Sequence, residues 1–170
     1  MRKRTLLSLV SAVSLAPLLG GCGFRLRGVP QFAFRSLFIQ AGRASPLARE
    51  LERTLSSATE QLTVLRDPRS PDDAEVIFEL LGERQERVVV GLNASGQVRE
   101  LQLRLRVTFK LRKPNGDDVL PETELLQQRD ISYNESIALS KEAEEQLLYR
   151  NMQTDLAQQL LRRLAAVKSL

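Results

Sequence analysis

Apolar and polar positions alternate most cleanly between Leu101 and Arg112. Leu101, Leu103, Leu105, Val107, Phe109 and Leu111 are interleaved with Gln102, Arg104, Arg106, Thr108, Lys110 and Arg112. A period of two predicts a strand with one buried face and one open, polar face. A long strand is also expected over 74–92, with Val76, Phe78 and Leu80 to one side and a bulge near Gly82. A third runs over about 119–133. The turn Asn93-Ala94-Ser95-Gly96 joins the first pair, and residues 113–118 lead into the third strand. Ser36 to Gln40 reads as a short apolar strand ended by Gly42, and 62–65 as a further short strand or edge segment.

The period changes to that of a helix twice. Ser45 is a good N-cap and Pro46 suits the first helical position, after which Leu47, Leu51 and Leu55 recur every fourth residue. The longest helix is expected from about Ala138 to Val167. Leu139, Ala143, Leu147, Met152, Leu156, Leu160 and Leu164 form its stripe, broadened by Leu148 and Leu161. Glu142, Glu144 and Glu145 load its first turns and Arg162, Arg163 and Lys168 its last, as the helix dipole favours.

Asn115-Gly116 invites a two-residue hairpin, but that register sets Lys110 opposite Pro121 and mixes basic with apolar side chains on one face. A three- or five-residue connection keeps Lys110 beside Glu122 and Thr108 near Glu124, and is the expected one because register follows the buried face. The order β-α-β-β-β-α predicts an α+β fold. Its form is a two-layer α/β sandwich, with two helices on one face of a mostly antiparallel four-stranded sheet.

Composition changes the picture at the N-terminus. Arg2, Lys3 and Arg4 precede an apolar stretch from Leu6 to Leu19, and Leu19-Gly20-Gly21 stand directly before Cys22, the only cysteine of the 170 residues. The stretch is too short and wrongly flanked for a permanent span, and reads as an export peptide. Leu-Gly-Gly-Cys resembles the bacterial lipobox. That resemblance implies cleavage after residue 21 and an N-acyl and S-diacylglycerol lipid on Cys22. Several acyl chains would give stable attachment where one gives only marginal binding. Gly23, in place of the Asp that retains lipoproteins at the inner membrane, implies the outer membrane, periplasmic side. The expected organisation is a signal peptide over 1–21, a lipidated tether over 22–34 and one domain over 35–170.

Losing the signal removes three basic groups, so the formal charge of +4 falls by three and little remains to attract nucleic acid. The chain has no histidine, hence neither the commonest general base nor the commonest catalytic metal ligand. No G-x-S-x-G or S-x-x-K element stands out, and most carboxylates alternate with Arg or Lys. The reading is a non-enzyme with no cofactor beyond its lipid.

Cys22-Gly-Phe-Arg-Leu-Arg-Gly28, a hairpin turn ending in Gly96-Gln97, the alternating segment from Leu101 and Ile137-Ala-Leu-Ser-Lys141 together resemble the lipopolysaccharide-assembly lipoprotein family LptE, or rare lipoprotein B. The resemblance spans the whole chain. It implies a plug and assembly chaperone inside the outer-membrane β-barrel LptD, and binding to lipopolysaccharide during its delivery to the outer leaflet. Lys141 matches a basic residue that the family presents to lipopolysaccharide. A second, expected just before Gly96-Gln97, is replaced by Asn93 and Ala94, and Arg99 is the nearest substitute.

For the open strand face two readings stand. Arg104 and Arg106, continued by Lys110 and Arg112, stand about 6.6 Å apart along one face and suit phosphates through bidentate hydrogen bonds. The alternative, and the commoner case for an alternating sheet, is a solvated face paired with Glu122, Glu124 or carboxylates of 74–92. Lys141 is either a solvent-facing lysine or, with nearby free amides, part of an anion site. A different class of function also remains. In it the protein is a free periplasm-facing lipoprotein binding a small ligand or peptidoglycan, or a subunit of another barrel-assembly machine. Six Phe, two Tyr and no Trp are few aromatics for a ligand pocket.

Overall fold

The computed structural model describes residues 29–134 and 138–170. The expected signal peptide, Cys22, most of the tether, Ile137 and the side chain of Leu139 lie outside the described residues. The elements are β1 (Ser36–Gln40), α1 (Pro46–Ala58), β2 (Thr63–Leu65), a single 3-10 turn (Pro71–Asp73), β3 (Val76–Leu92), β4 (Val98–Arg112), β5 (Asp118–Ser132) and α2 (Ala138–Ala165).

The sheet has five strands in the order β2-β1-β3-β4-β5, which corrects the expected four. Thr63–Leu65 pairs with β1 in parallel, Ser36 opposite Thr63 and Phe38 opposite Leu65, and β1 pairs with β3 in parallel as well. A parallel pair needs a crossover, which α1 supplies; three residues are too few for β2 to show a period. The sheet is therefore mixed, with its antiparallel part confined to β3, β4 and β5.

Both long hairpins end in three-residue loops. Asn93 N donates to Gln97 O at 2.9 Å and Lys113 N to Asp117 O at 2.8 Å, with Gly96 (φ 78°) and Gly116 (φ 99°) in the left-handed region. That conformation favours glycine. Two irregularities near the β4–β5 turn then shift the register, so that Phe109 faces Thr123 and Thr108 faces Glu124, the expected pairing. Pro121 sits where the shift occurs, on an edge strand, where its missing N–H breaks no ladder bond. The bulge expected near Gly82 is present between Leu80 and Gly82.

The odd residues of β4 from Leu101 to Leu111 are buried against both helices. At the centre Phe78 stacks on Phe109, ring centroids 5.4 Å apart. Ser45 caps α1 as expected, its Oγ accepting from Ala48 N at 3.0 Å, and Leu47, Ala48, Leu51 and Leu55 are buried. A smaller cluster of Phe38, Leu65, Ala74 and Ile77 covers the start of the other face, under the segment that leads into β3.

The first half of α2 departs from the expected stripe. Leu147 is 51% exposed and Ala143 is exposed, whereas Glu145 and Tyr149 are buried. From Met152 to Leu164 the stripe is as expected. Past Leu80 the helix-side face of β3 turns polar, and α2 answers with polar groups. Arg87 pairs with Glu145 at 2.6 Å, and the Tyr149 hydroxyl donates to Glu86 O at 2.8 Å. Burial and the neighbouring Glu145 charge push the Tyr149 phenol up.

Candidate functional site

The register defines two ends. β1 starts beside Val76, and Ile77 faces Arg112, so the chain's first described residues, the β4–β5 turn and the C-terminal ends of both helices share one end. The β3–β4 tip and the start of α2 share the other. Seventeen residues of β3 span about 55 Å, so the body is elongated, with the first described residues at one extremity.

At the far extremity the structure brings Lys141 and Arg99 to the same strand end. Lys141 Nζ donates to Ser132 Oγ at 3.3 Å and pairs with Glu144 at 2.7 Å, leaving its side chain 12% exposed. Ser132 faces Glu100, and the next residue, Tyr133, donates its N–H to Arg99 O at 2.8 Å. Arg99 is exposed and lies where the β3–β4 register shifts between Gly91 and Leu92. Gly91 is required there, since an added Cβ would stand 2.9 Å from Glu100 Cβ. Val89, Val90 and Leu92 are exposed on the same hairpin end.

Arg104 and Arg106 lie on the open face midway along β4, apart from that end. Arg106 is held by Glu86 at 3.8 Å and by Glu124 on β5, and Lys110 by Glu79 at 3.1 Å together with Arg112. The Lys110–Glu122 pairing anticipated from register gives way to Glu79 because the chain is irregular beside Pro121. Arg104 donates only to Gln102 Oε1, at 2.7 Å, and among the described residues has no carboxylate partner. Much of the stripe is therefore a solvated, ion-paired face. Sequence reading missed Arg84, which sits directly opposite Arg106 and is likewise without a carboxylate partner. Its place follows once the bulge at Gly82 is set, since even positions of β3 then face even positions of β4.

Glu79 anchors the paired part of this face. Burial pushes its carboxyl up, but the hydrogen bonds and charges of Arg112 and Lys110 outweigh burial and hold it below its ordinary value. A depressed folded-state value stabilises above the unfolded value of about 4.3 and is lost as pH falls through the folded one. Glu79→Gln is expected to cost about 1–2 kcal/mol at pH 7. The gap to wild type should shrink as pH falls below about 4.3. Urea unfolding of both proteins across that range measures it, and a pH-independent gap would mean the charge contributes nothing.

Among the described residues no group of three metal-ligating side chains occurs, and no helix is long and apolar enough to cross a membrane. The arrangement is a rigid frame whose open face is mostly ion-paired, with Arg84 and Arg104 left without a carboxylate among the described residues.

Comparison with known proteins agrees with this frame. Residues 34–164 match the family model described as LptE, lipopolysaccharide-assembly. The chain is 31% identical over 170 residues to the LPS-assembly lipoprotein LptE of Yersinia enterocolitica, covering 98% of this chain and 78% of that protein, with the same figures for Yersinia pestis. The solution structure of lipoprotein B from Nitrosomonas europaea superposes with a TM-score of 0.71 at 31% identity, covering 85% of this chain and 91% of that one. Rare lipoprotein B from Shewanella oneidensis shares the fold, with a TM-score of 0.63 at 22% identity, covering 77% of this chain and 94% of that one. The chain belongs to the LptE family of non-catalytic lipopolysaccharide-assembly lipoproteins.

Proposed function

We propose that this protein is anchored to the periplasmic side of the outer membrane through a lipidated Cys22. There it works as the plug and assembly partner of the β-barrel LptD, contacting lipopolysaccharide on its way to the outer leaflet. The observation that carries the reading is the family match over residues 34–164, together with relatives named for lipopolysaccharide assembly. The chemistry of the surface supports it. Interiors of outer-membrane barrels are polar, and the open sheet face carries neutralised ion pairs rather than an apolar patch.

Lipopolysaccharide contact is assigned first to Lys141 and Arg99, at the end remote from the first described residues. Arg104, whose guanidinium has no carboxylate partner, is the stronger candidate on the strand face. Arg106 would have to share its charge with Glu86 and Glu124. Lys141 shares its charge with Glu144 in the same way, but Ser132 and Glu144 also hold its ammonium in place, so a phosphate arriving there would meet a positioned cation.

The full chain is expected to bind purified lipopolysaccharide, and Lys141→Glu to weaken binding about tenfold, near the loss of one charge-assisted contact, while barrel association persists. Titration at matched salt decides it. No binding by the wild-type chain would overturn the lipopolysaccharide part of the proposal, and unchanged binding by the variant would remove Lys141 from the contact.

A further inference from the structure

The two edges of the sheet are built differently. β2, at one edge, is three residues long, and shortness is one of the ways an edge is kept from pairing with another strand. β5, at the other, has fifteen residues. Pro121 and the register shifts are confined to its start, and from Thr123 to Ser132 it pairs with β4 without interruption.

The ladder fixes which backbone groups of β5 point away from β4. Just past the strand, Tyr133 donates its N–H to Arg99 O at 2.8 Å. In this antiparallel register the odd residues of β5 therefore exchange hydrogen bonds with β4, and the even ones turn their N–H and C=O outward. Gln128 O agrees, being open to the Arg129 guanidinium 2.8 Å away. Among the described residues no backbone group pairs with the outward side of Glu124, Leu126, Gln128 or Asp130. These span about 20 Å of strand, a template for one more.

The side chains of the same four residues are exposed on the open face. From Asp118 to Ser132 the even positions carry four acids and no base. Glu124 is taken by Arg106, but Glu122 has no cation and Asp130 only the Gln102 amide, at 2.8 Å. Leu126 is 43% exposed among them. Pairing β5 antiparallel with a second copy of itself sets even positions opposite even positions, acids meeting a row without a base, and like charges directly opposite are unfavourable. The arginines of the open face stand on β3 and β4, about 10 Å or more from an added strand, where salt screens them.

We propose that the β5 edge receives an extended basic segment of a partner protein as a sixth, antiparallel strand. Its backbone completes the hydrogen bonds of Glu124, Leu126, Gln128 and Asp130. Lys or Arg at every second position stands on the open face against Glu122 and Asp130, with side-chain methylenes over Leu126. Antiparallel addition continues the ladder of β3, β4 and β5 and is the more stable pairing per residue. The inference rests on register and charge, not on lipopolysaccharide or on the lipid at Cys22.

The test uses the full chain in non-ionic detergent and a fluorescein-labelled peptide, Lys-Thr-Lys-Thr-Lys-Thr-Lys. Anisotropy should show saturable binding. Amide exchange followed by nuclear magnetic resonance should show the N–H groups of Glu124, Leu126, Gln128 and Asp130 becoming protected when the peptide binds. Glu122→Gln with Asp130→Asn should weaken binding about three- to tenfold. Glu60→Gln with Asp72→Asn, the same loss of charge at exposed residues on either side of β2 in the chain, should leave it unchanged. N-methylating the lysine amides of the peptide removes the donors that face β5 and should abolish binding. Circular dichroism confirms that each variant is folded. Absence of saturable binding, an equal loss in the Glu60 and Asp72 variant, binding of the N-methylated peptide, or a dimer of the chain alone with those four amides protected would each overturn the proposal.

Discussion

Cys22→Ser, exported behind an ordinary cleavable signal peptide in place of residues 1–21, is expected to move essentially all of the protein from the membrane pellet to the soluble fraction while leaving its melting temperature unchanged. The two halves of that result have separate physical origins. Several acyl chains on one residue give attachment that does not reverse, each buried methylene adding about 0.8 kcal/mol, and nothing else among the described residues replaces them. The folded body, by contrast, takes its stability from a core whose first buried member is Phe34, the last residue of the expected tether and twelve positions past Cys22. Fractionation and a thermal melt, side by side, measure both. A variant that stays in the pellet would deny the lipid its role, and one that fails to fold would show Cys22 itself to be needed for folding.

The second large effect is in that core. Phe109 is 1% exposed and stacks on Phe78 between the sheet and the helices. Phe109→Ala is expected to cost about 3–5 kcal/mol, the lost transfer energy of the ring plus that of the cavity it leaves. For a domain of this size the melting temperature should fall by about 2–4 °C per kcal/mol, hence roughly 6–20 °C. Typical domains are stable by only about 5–15 kcal/mol, so the variant stands near the threshold of folding. Differential scanning calorimetry decides it. A loss below about 1 kcal/mol would be the size of an ordinary surface change and would place the centre of the core elsewhere.

Those two expectations also mark where the sequence was readable. The strict alternation of β4 specified its buried face residue by residue, and Ser45-Pro46 specified the start of α1, because each signal is local and repeated. Three features were hidden for physical reasons. β2 is too short to show a period, and it becomes a strand only because α1 returns the chain beside β1. The first half of α2 buries Glu145 and Tyr149 instead of Ala143 and Leu147. That choice is dictated by Arg87 and the Glu86 carbonyl on a strand distant in sequence, which no helical period reveals. The site divides in the same way. That Arg104 and Arg106 lie on an open face was plain from the pattern. That Glu86 and Glu124 occupy Arg106 while Arg84 and Arg104 lack carboxylates depends on the bulge at Gly82 and on cross-strand register. The closeness of Lys141 to Ser132 is tertiary as well, and only the family resemblance pointed to that lysine.

Extraction of native envelopes in mild detergent, affinity capture of this lipoprotein and mass-spectrometric identification of what travels with it reach the central claim most directly. The account predicts an outer-membrane β-barrel of the LptD type in about one-to-one proportion, retained through washing. Recovery of the lipoprotein alone, or with a different barrel-assembly machine, would contradict it.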